Sequence, residues 1–197
     1  MQVDFYLSAA SRYSYLASTQ LDKISAQTGC EFLWKPLNNH ALLSANGMDP
    51  FRSPAPVSGQ YDWAYREYDA KCWAEYYDVP FVEPVNFRKD PPFIVRGCYA
   101  AESLGRIVPF CRRLSAAIFV EGRVIDQPLL SDFAEDVGID RSDFEHAFGS
   151  EQVAGREKEV LDEALSKNVF GVPTFVSGDK LFWGNDRIPL LLRALEG

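Results

Sequence analysis

The sequence is poor in the residues from which metal centres and hydrolytic triads are built. It has two histidines, His40 and His146, which excludes a histidine-rich metal site and argues against a Ser-His-Asp triad. Its four cysteines, Cys30, Cys72, Cys98 and Cys111, are scattered, with no C-x-x-C pair and no zinc-ligand spacing. They read as buried or idle thiols of a reducing compartment, and no metal is expected. Nowhere do roughly 18 apolar residues run together, so no membrane span is expected. The start lacks a basic stretch, and the apolar run at residues 3–7 is too short for a signal-peptide core. A cytoplasmic protein is the expectation. Basic excess is missing too: 20 Lys and Arg against 28 Asp and Glu leave a net charge of −8. That speaks against a nucleic acid or an anionic membrane as partner. Arg88-Lys89 and Arg112-Arg113 sit among acids or prolines and read as solvated surface.

The 197 residues, 47% of them hydrophobic, suffice for one domain with a substantial core or one domain carrying a large insertion. The chain opens on a short apolar run at 3–7, passes four small residues at 8–11 and becomes helical in period. Tyr13, Leu16, Ala17, Gln20, Leu21 and Ile24 fall on or near one face. Gly29 is a helix stop, and the alternating aromatic segment 31–35 is a strand ended by Pro36. From 38 to 59 the chain is rich in Asn, Ser, Pro and Gly and reads as a long loop. A helix over 61–77 follows, then a proline-rich extended segment over 81–92. Further helices are expected at 93–105, 107–120, 127–137, 140–149 and 150–167, with Ser142 and Glu145 forming a capping box. Strand chemistry returns at 172–177 and 180–183, joined by Gly178-Asp179 as a hairpin. A last helix begins near Asn185 or Asp186, with Pro189 in its first turn. The order is β-α-β, a block of helices, then β-β-α. This predicts an α/β fold: a thioredoxin-like domain from 1–37 and 168–197, interrupted by an inserted helical domain at 38–167.

Two places stand out chemically. Ser11 lies where the first strand turns into the first helix, at free N–H groups and the positive end of the helix dipole. It reads either as an N-cap or as a residue that binds an anion. Val172-Pro173 begins a strand where the missing proline N–H is tolerated. A cis bond there would turn the Val172 N–H and C=O outward as a free edge, able to take a peptide by strand addition.

Asp4-Phe-Tyr with Ser11-Arg-Tyr-Ser-Tyr-Leu-Ala17, Phe170-Gly-Val-Pro-Thr174 and Phe182-Trp-Gly-Asn-Asp-Arg187 together resemble the 2-hydroxychromene-2-carboxylate isomerases. These belong with the kappa-class glutathione transferases in the DsbA-like branch of the thioredoxin superfamily. Tyr65, Asp69, Trp73 and Val79-Pro-Phe81 extend the resemblance. It implies a glutathione-dependent isomerase of aromatic 2-oxo acids, working in aromatic-compound catabolism as a homodimer. The product would be trans-o-hydroxybenzylidenepyruvate. A kappa-like transferase or peroxidase is the alternative, and a non-catalytic glutathione-binding relative of DsbA is another.

Carried onto this chain, Ser11 matches the active-site serine and takes the place of the first redox cysteine of DsbA, with Ser14 in the place of the second. A disulfide is impossible with hydroxyls at both places. Ser11 instead would donate to the glutathione thiolate and lower its pKa. Val172, before Pro173, matches the residue that pairs with the cysteinyl main chain. Asn185 and Asp186 match the pair that holds the γ-glutamyl end, and both also suit simple capping. Asp69 matches an aspartate that reaches glutathione; otherwise it sits on a solvated helix face. Asn46 matches a loop asparagine, although here the loop reads Asn46-Gly-Met-Asp-Pro50. Asp62 stands where the family has a lysine, so the glycyl carboxylate lacks its expected partner. Arg12 replaces a family proline and either pairs with a substrate carboxylate or is a solvated first-turn residue. Tyr65, Phe170 and Trp183 are candidates for the aryl ring, and Asn86 with Arg88-Lys89 for the far wall of the pocket.

Overall fold

The computed structural model describes residues 1–48, 63–84 and 91–196. Strands β1 (Gln2–Leu7), β2 (Glu31–Pro36), β3 (Thr174–Ser177) and β4 (Lys180–Trp183) form one sheet in the order β2-β1-β3-β4. β1 runs parallel to β2 and antiparallel to β3, and β3 pairs with β4 as the expected hairpin. β1 is a central strand covered on both faces, which is why residues 3–7 are almost continuously apolar instead of alternating. Phe5 lies opposite Trp34 on one side and Phe175 on the other. Its ring meets Trp34 edge-on at 5.2 Å and stacks on Phe175 at 5.0 Å. This cross-strand aromatic row fixes the register.

Between β2 and β3 lie α3 (Asn39–Ala45), α4 (Trp63–Tyr77), α5 (Pro92–Ser103), α6 (Ile107–Phe119), α7 (Leu129–Asp136), α8 (Arg141–Phe148) and α9 (Glu151–Ser166). The segment after β1 forms α1 (Arg12–Ser18) and α2 (Leu21–Thr28), and the chain closes with α10 (Ile188–Leu195). The Phe5–Phe175 face of the sheet shares one continuous apolar core with α1, α2, α5 to α8 and α10. The opposite face, through Tyr6 and Val176, packs with Tyr99, Val160, Ala164 and Val169. The helices between β2 and β3 therefore close over the sheet on both sides.

Three local expectations need correction. The first helix is broken in two, because the Ser18 and Thr19 hydroxyls donate back to the carbonyls of Tyr15 and Leu16. Such bonds compete with the helix ladder. The start of the expected 38–59 loop is helical: Asn38 accepts from Ala41 N–H at 2.8 Å and caps the Ala/Leu-rich α3. Asp140, not Ser142, caps α8, accepting from the N–H groups of Ser142 and Asp143. The last helix does begin at Asn185, but its first turn is 3-10, Asn185–Arg187. No described helix is long and apolar enough to cross a membrane.

A ring of charge ties the sheet to α9. Lys35 Nζ bridges Asp4 and Glu163 at 2.9 and 2.6 Å, and Lys167 Nζ bridges the same two at 2.7 and 2.5 Å. Tyr6 O–H also donates to Glu163, at 3.0 Å. Burial alone would raise the Glu163 carboxyl, but the bonds from Lys167, Lys35 and Tyr6 outweigh it and hold its pKa at about 2. A carboxyl depressed on folding contributes stability that is complete above its ordinary value of 4.5. That contribution fades as the pH falls toward about 2. Glu163→Gln is therefore expected to make the loss of stability between these two pH values shallower, read as urea midpoints across a pH series. An unchanged acid limb would refute the assignment.

Candidate functional site

The C-terminal end of β1, the start of β3 and the end of β4 lie side by side, since Tyr6 faces Thr174 and Thr174 faces Trp183. The candidate residues of both chain ends gather at this one edge. Ser11 follows β1, Val172-Pro173 precedes β3, and Asn185-Asp186 follows β4.

The turn that carries Ser11 is held by other serines. Ser11 N–H donates to Ser8 C=O at 3.0 Å, and Ser8 N–H donates to the Ser14 hydroxyl at 3.3 Å. Ser115 of α6 donates to Ala9 C=O at 3.0 Å. Ser11 is an N-cap: its Oγ accepts from Ser14 N–H, at a long 3.4 Å. A cap uses a lone pair of the oxygen and leaves the O–H proton free. The two readings of Ser11 are therefore compatible. Ser14 is buried and its hydroxyl serves the turn.

The Val172–Pro173 peptide bond is cis. Among the described residues the main-chain N–H and C=O of Val172 have no hydrogen-bond partner, whereas Pro173 C=O accepts from Gly184 N–H at 2.9 Å. That bond sets the 3-10 turn beside the cis-proline. Asn185 is only 3% exposed, and its Nδ2 has no partner among the described residues. A buried, unpartnered amide costs about 1–3 kcal/mol, which marks the position as one held for something. Tyr77 O–H donates to Asn185 C=O at 3.1 Å, and burial pushes that phenol's pKa up to about 12. Asp186 is exposed and ion-paired with the adjacent Arg187. Gly184, at φ 110°, is left-handed, and a Cβ there would collide with Asp186 Oδ1.

Beside Val172, the half-exposed rings of Phe170 and Trp183 meet edge-to-face at 5.0 Å. Gly171 makes room for that pair, because a Cβ at 171 would fall 2.6 Å from Trp183 Nε1.

The remaining candidates sit around this edge or outside it. Asp69 on α4 accepts from Tyr13 O–H at 2.8 Å and so fastens α4 to α1; it does not sit on a solvated face. Burial, then this bond, raises the Tyr13 phenol. Tyr65, one turn earlier on α4, is exposed. Asn46 gives its Nδ2 to Leu42 C=O and Val169 C=O at 2.9 and 3.3 Å, tying α3 to the segment before Phe170. Asn86, Arg88, Lys89, Pro50 and Asp62 lie outside the described residues. Cys72 is exposed, unlike Cys30, Cys98 and Cys111, which are buried.

Arg12 is 7% exposed, which excludes the solvated alternative. One of its nitrogens pairs with Glu83 at 2.7 Å, and its guanidinium carbon lies 5.2 Å from the Trp63 ring. Burial lowers the arginine and raises the carboxyl, each opposed by the charge of the other. Glu83 and Trp63 were not among the expected site residues. Ion pairing between positions this far apart leaves no periodic trace in a sequence.

Comparison with known proteins bears on the fold and the family. A family model described as a DSBA-like thioredoxin domain matches residues 2–196. The chain is 31% identical to the 2-hydroxychromene-2-carboxylate isomerase of Pseudomonas putida, across 99% of this chain and 94% of that protein. It is 30% identical to the protein of the same name from Pseudomonas sp. (strain C18), across 99% and 90%. A solved 2-hydroxychromene-2-carboxylate isomerase superposes with a TM-score of 0.81 at 29% identity, covering 100% of this chain and 95% of that one.

Proposed function

The chain belongs to the 2-hydroxychromene-2-carboxylate isomerases, within the DSBA-like thioredoxin-domain family, and on that premise we propose an isomerase of 2-hydroxychromene-2-carboxylate-like substrates that uses glutathione. The observation that supports glutathione is the unpartnered, buried amide of Asn185 next to the open main chain of Val172. An amide donor and a free strand edge are what a short peptide needs in order to dock by strand addition. Val172 would hold the cysteinyl main chain, and Asn185 with Asp186 the γ-glutamyl end. The carbonyl oxygen of Asn46 and the carboxylate of Asp69 are further contacts in the same reading.

When bound, glutathione would supply a thiolate nucleophile for the conjugated 2-oxo acid, whose double bond has to lose its double character before it can rotate. The residues of this chain do the rest. Ser11 donates its free O–H proton to the sulfur and keeps it ionised near neutral pH. Asn185 and Val172 fix the peptide, which limits the directions from which the sulfur meets substrate. Phe170, Trp183 and Tyr65 offer ring faces to the aryl group.

Asn185→Leu separates this role from a structural one, because the two predict opposite signs. Removing an unpartnered buried amide should leave the protein as stable or more so. Glutathione should bind about 10-fold or more weakly, for loss of a hydrogen bond to a charged ligand. Thermal unfolding and calorimetric titration read the two effects. A destabilised variant with unchanged glutathione affinity would sink the assignment. Product analysis tests the reaction: isomerisation must require glutathione and leave its concentration unchanged, whereas stoichiometric conjugation would indicate a transferase.

A further inference from the structure

The buried ion pair between Arg12 and Glu83 is incomplete on both sides. Arg12 Nη2 reaches Glu83 Oε1 at 2.7 Å, while Arg12 Nη1 and Glu83 Oε2 are buried with no partner among the described residues. Burying a charge pair is tolerated when its remaining donors and acceptors are satisfied. Here one charged donor and one charged acceptor are left over, the donor on the residue that follows Ser11 in the chain. Arg66 adds a second guanidinium 5.4 Å from the same Trp63 ring, and the Glu67 carboxylate also acts on Arg12.

We propose that Arg12 and Glu83 are the specificity determinants for the substrate's acid end: Arg12 Nη1 takes the carboxylate, and Glu83 Oε2 takes a hydroxyl carried on the same carbon. This rests on the isomerase reading, whose family substrate bears a carboxylate and a hydroxyl together at one ring carbon. The two leftover atoms match that pair of groups in number, charge and polarity. A guanidinium suits the first because it offers several donors in a fixed fork, and one arm can stay on Glu83 while another binds. Both atoms are buried, so binding requires the side chains that cover the pair to move aside.

Glu83 is both the anchor of Arg12 and an internal competitor for it, and this gives the test its signs. Calorimetry would compare 2-hydroxychromene-2-carboxylate with its 2-carboxamide, without glutathione, on the wild type, Glu83→Gln and the double variant Arg12→Gln with Glu83→Gln. The double variant leaves no unpaired buried charge and so keeps the fold within reach. Wild type should prefer the acid. Glu83→Gln should keep that preference or strengthen it, since a neutral amide still accepts the hydroxyl. The double variant should lose about 10–100-fold in acid affinity and little in carboxamide affinity.

Acid preference surviving in the double variant would overturn the proposal. So would its loss in Glu83→Gln, or absence of acid binding to wild type at millimolar concentration. Glutathione titrated separately into all three proteins distinguishes the two layers. No heat in any of them refutes glutathione dependence and leaves the Arg12 result standing.

Discussion

Ser11→Ala is expected to lower the isomerisation rate by about 10²-fold, the effect of losing one preorganised donor to a developing or resident negative charge. Stability should fall by no more than about 1 kcal/mol, at the low end for an N-cap, because the capping bond to Ser14 N–H is long at 3.4 Å. The pKa of the glutathione thiol in the complex should rise toward its free value, measurable from thiolate absorbance. This readout matters, since a cap that merely keeps α1 in place would leave the thiol pKa untouched. A rate within a few-fold of wild type would show that main-chain N–H groups hold the sulfur and that the hydroxyl is structural.

The largest expected loss of stability comes from the centre of the sheet. Phe175 is fully buried, stacks on Phe5 at 5.0 Å and meets Phe32 edge-on at 6.0 Å. Phe175→Ala should cost about 3–5 kcal/mol, the sum of lost burial and the cavity left behind. The rings around it come from three strands, so neighbours cannot move in without disturbing the register. Phe182, opposite Phe175 on the edge strand β4, is only half-buried. Its alanine variant should cost clearly less, and equal losses would mean that the aromatic row is not the determinant. Denaturant midpoints at constant slope decide between these outcomes.

Much of this architecture could be read from the residues, for reasons that differ by element. β1 and the β3–β4 hairpin were legible because strand composition and turn residues act locally. That Ser11, Val172 and Asn185-Asp186 share one edge was legible only through the resemblance of three separated motifs, since each alone also suits a cap or a strand start. The break in the first helix was hidden because it depends on hydroxyls choosing carbonyls one turn back. The α3 helix was hidden for a related reason: its cap, Asn38, looks like loop chemistry until Ala41 is seen to donate to it. Arg12 shows the limit most plainly. Its residue type left two meanings open, and only burial against Glu83 and Trp63 removed one of them.

The sheet order has a consequence for how the protein is made. β1, the strand at the middle, finds β2 within the first 36 residues but waits for β3 until residue 174 has emerged. At roughly 5–20 residues per second on the ribosome, that wait is on the order of ten seconds. Throughout it, the Phe5 and Tyr6 edge of β1 is an unpaired apolar template among crowded neighbouring chains. The helices between β2 and β3 are made in that interval, and those that can settle early against Phe5 and Trp34 serve as temporary cover. Ribosome-bound chains stalled just before residue 174 should therefore be the aggregation-prone species of this protein, and release of the last strand pair should end that vulnerability.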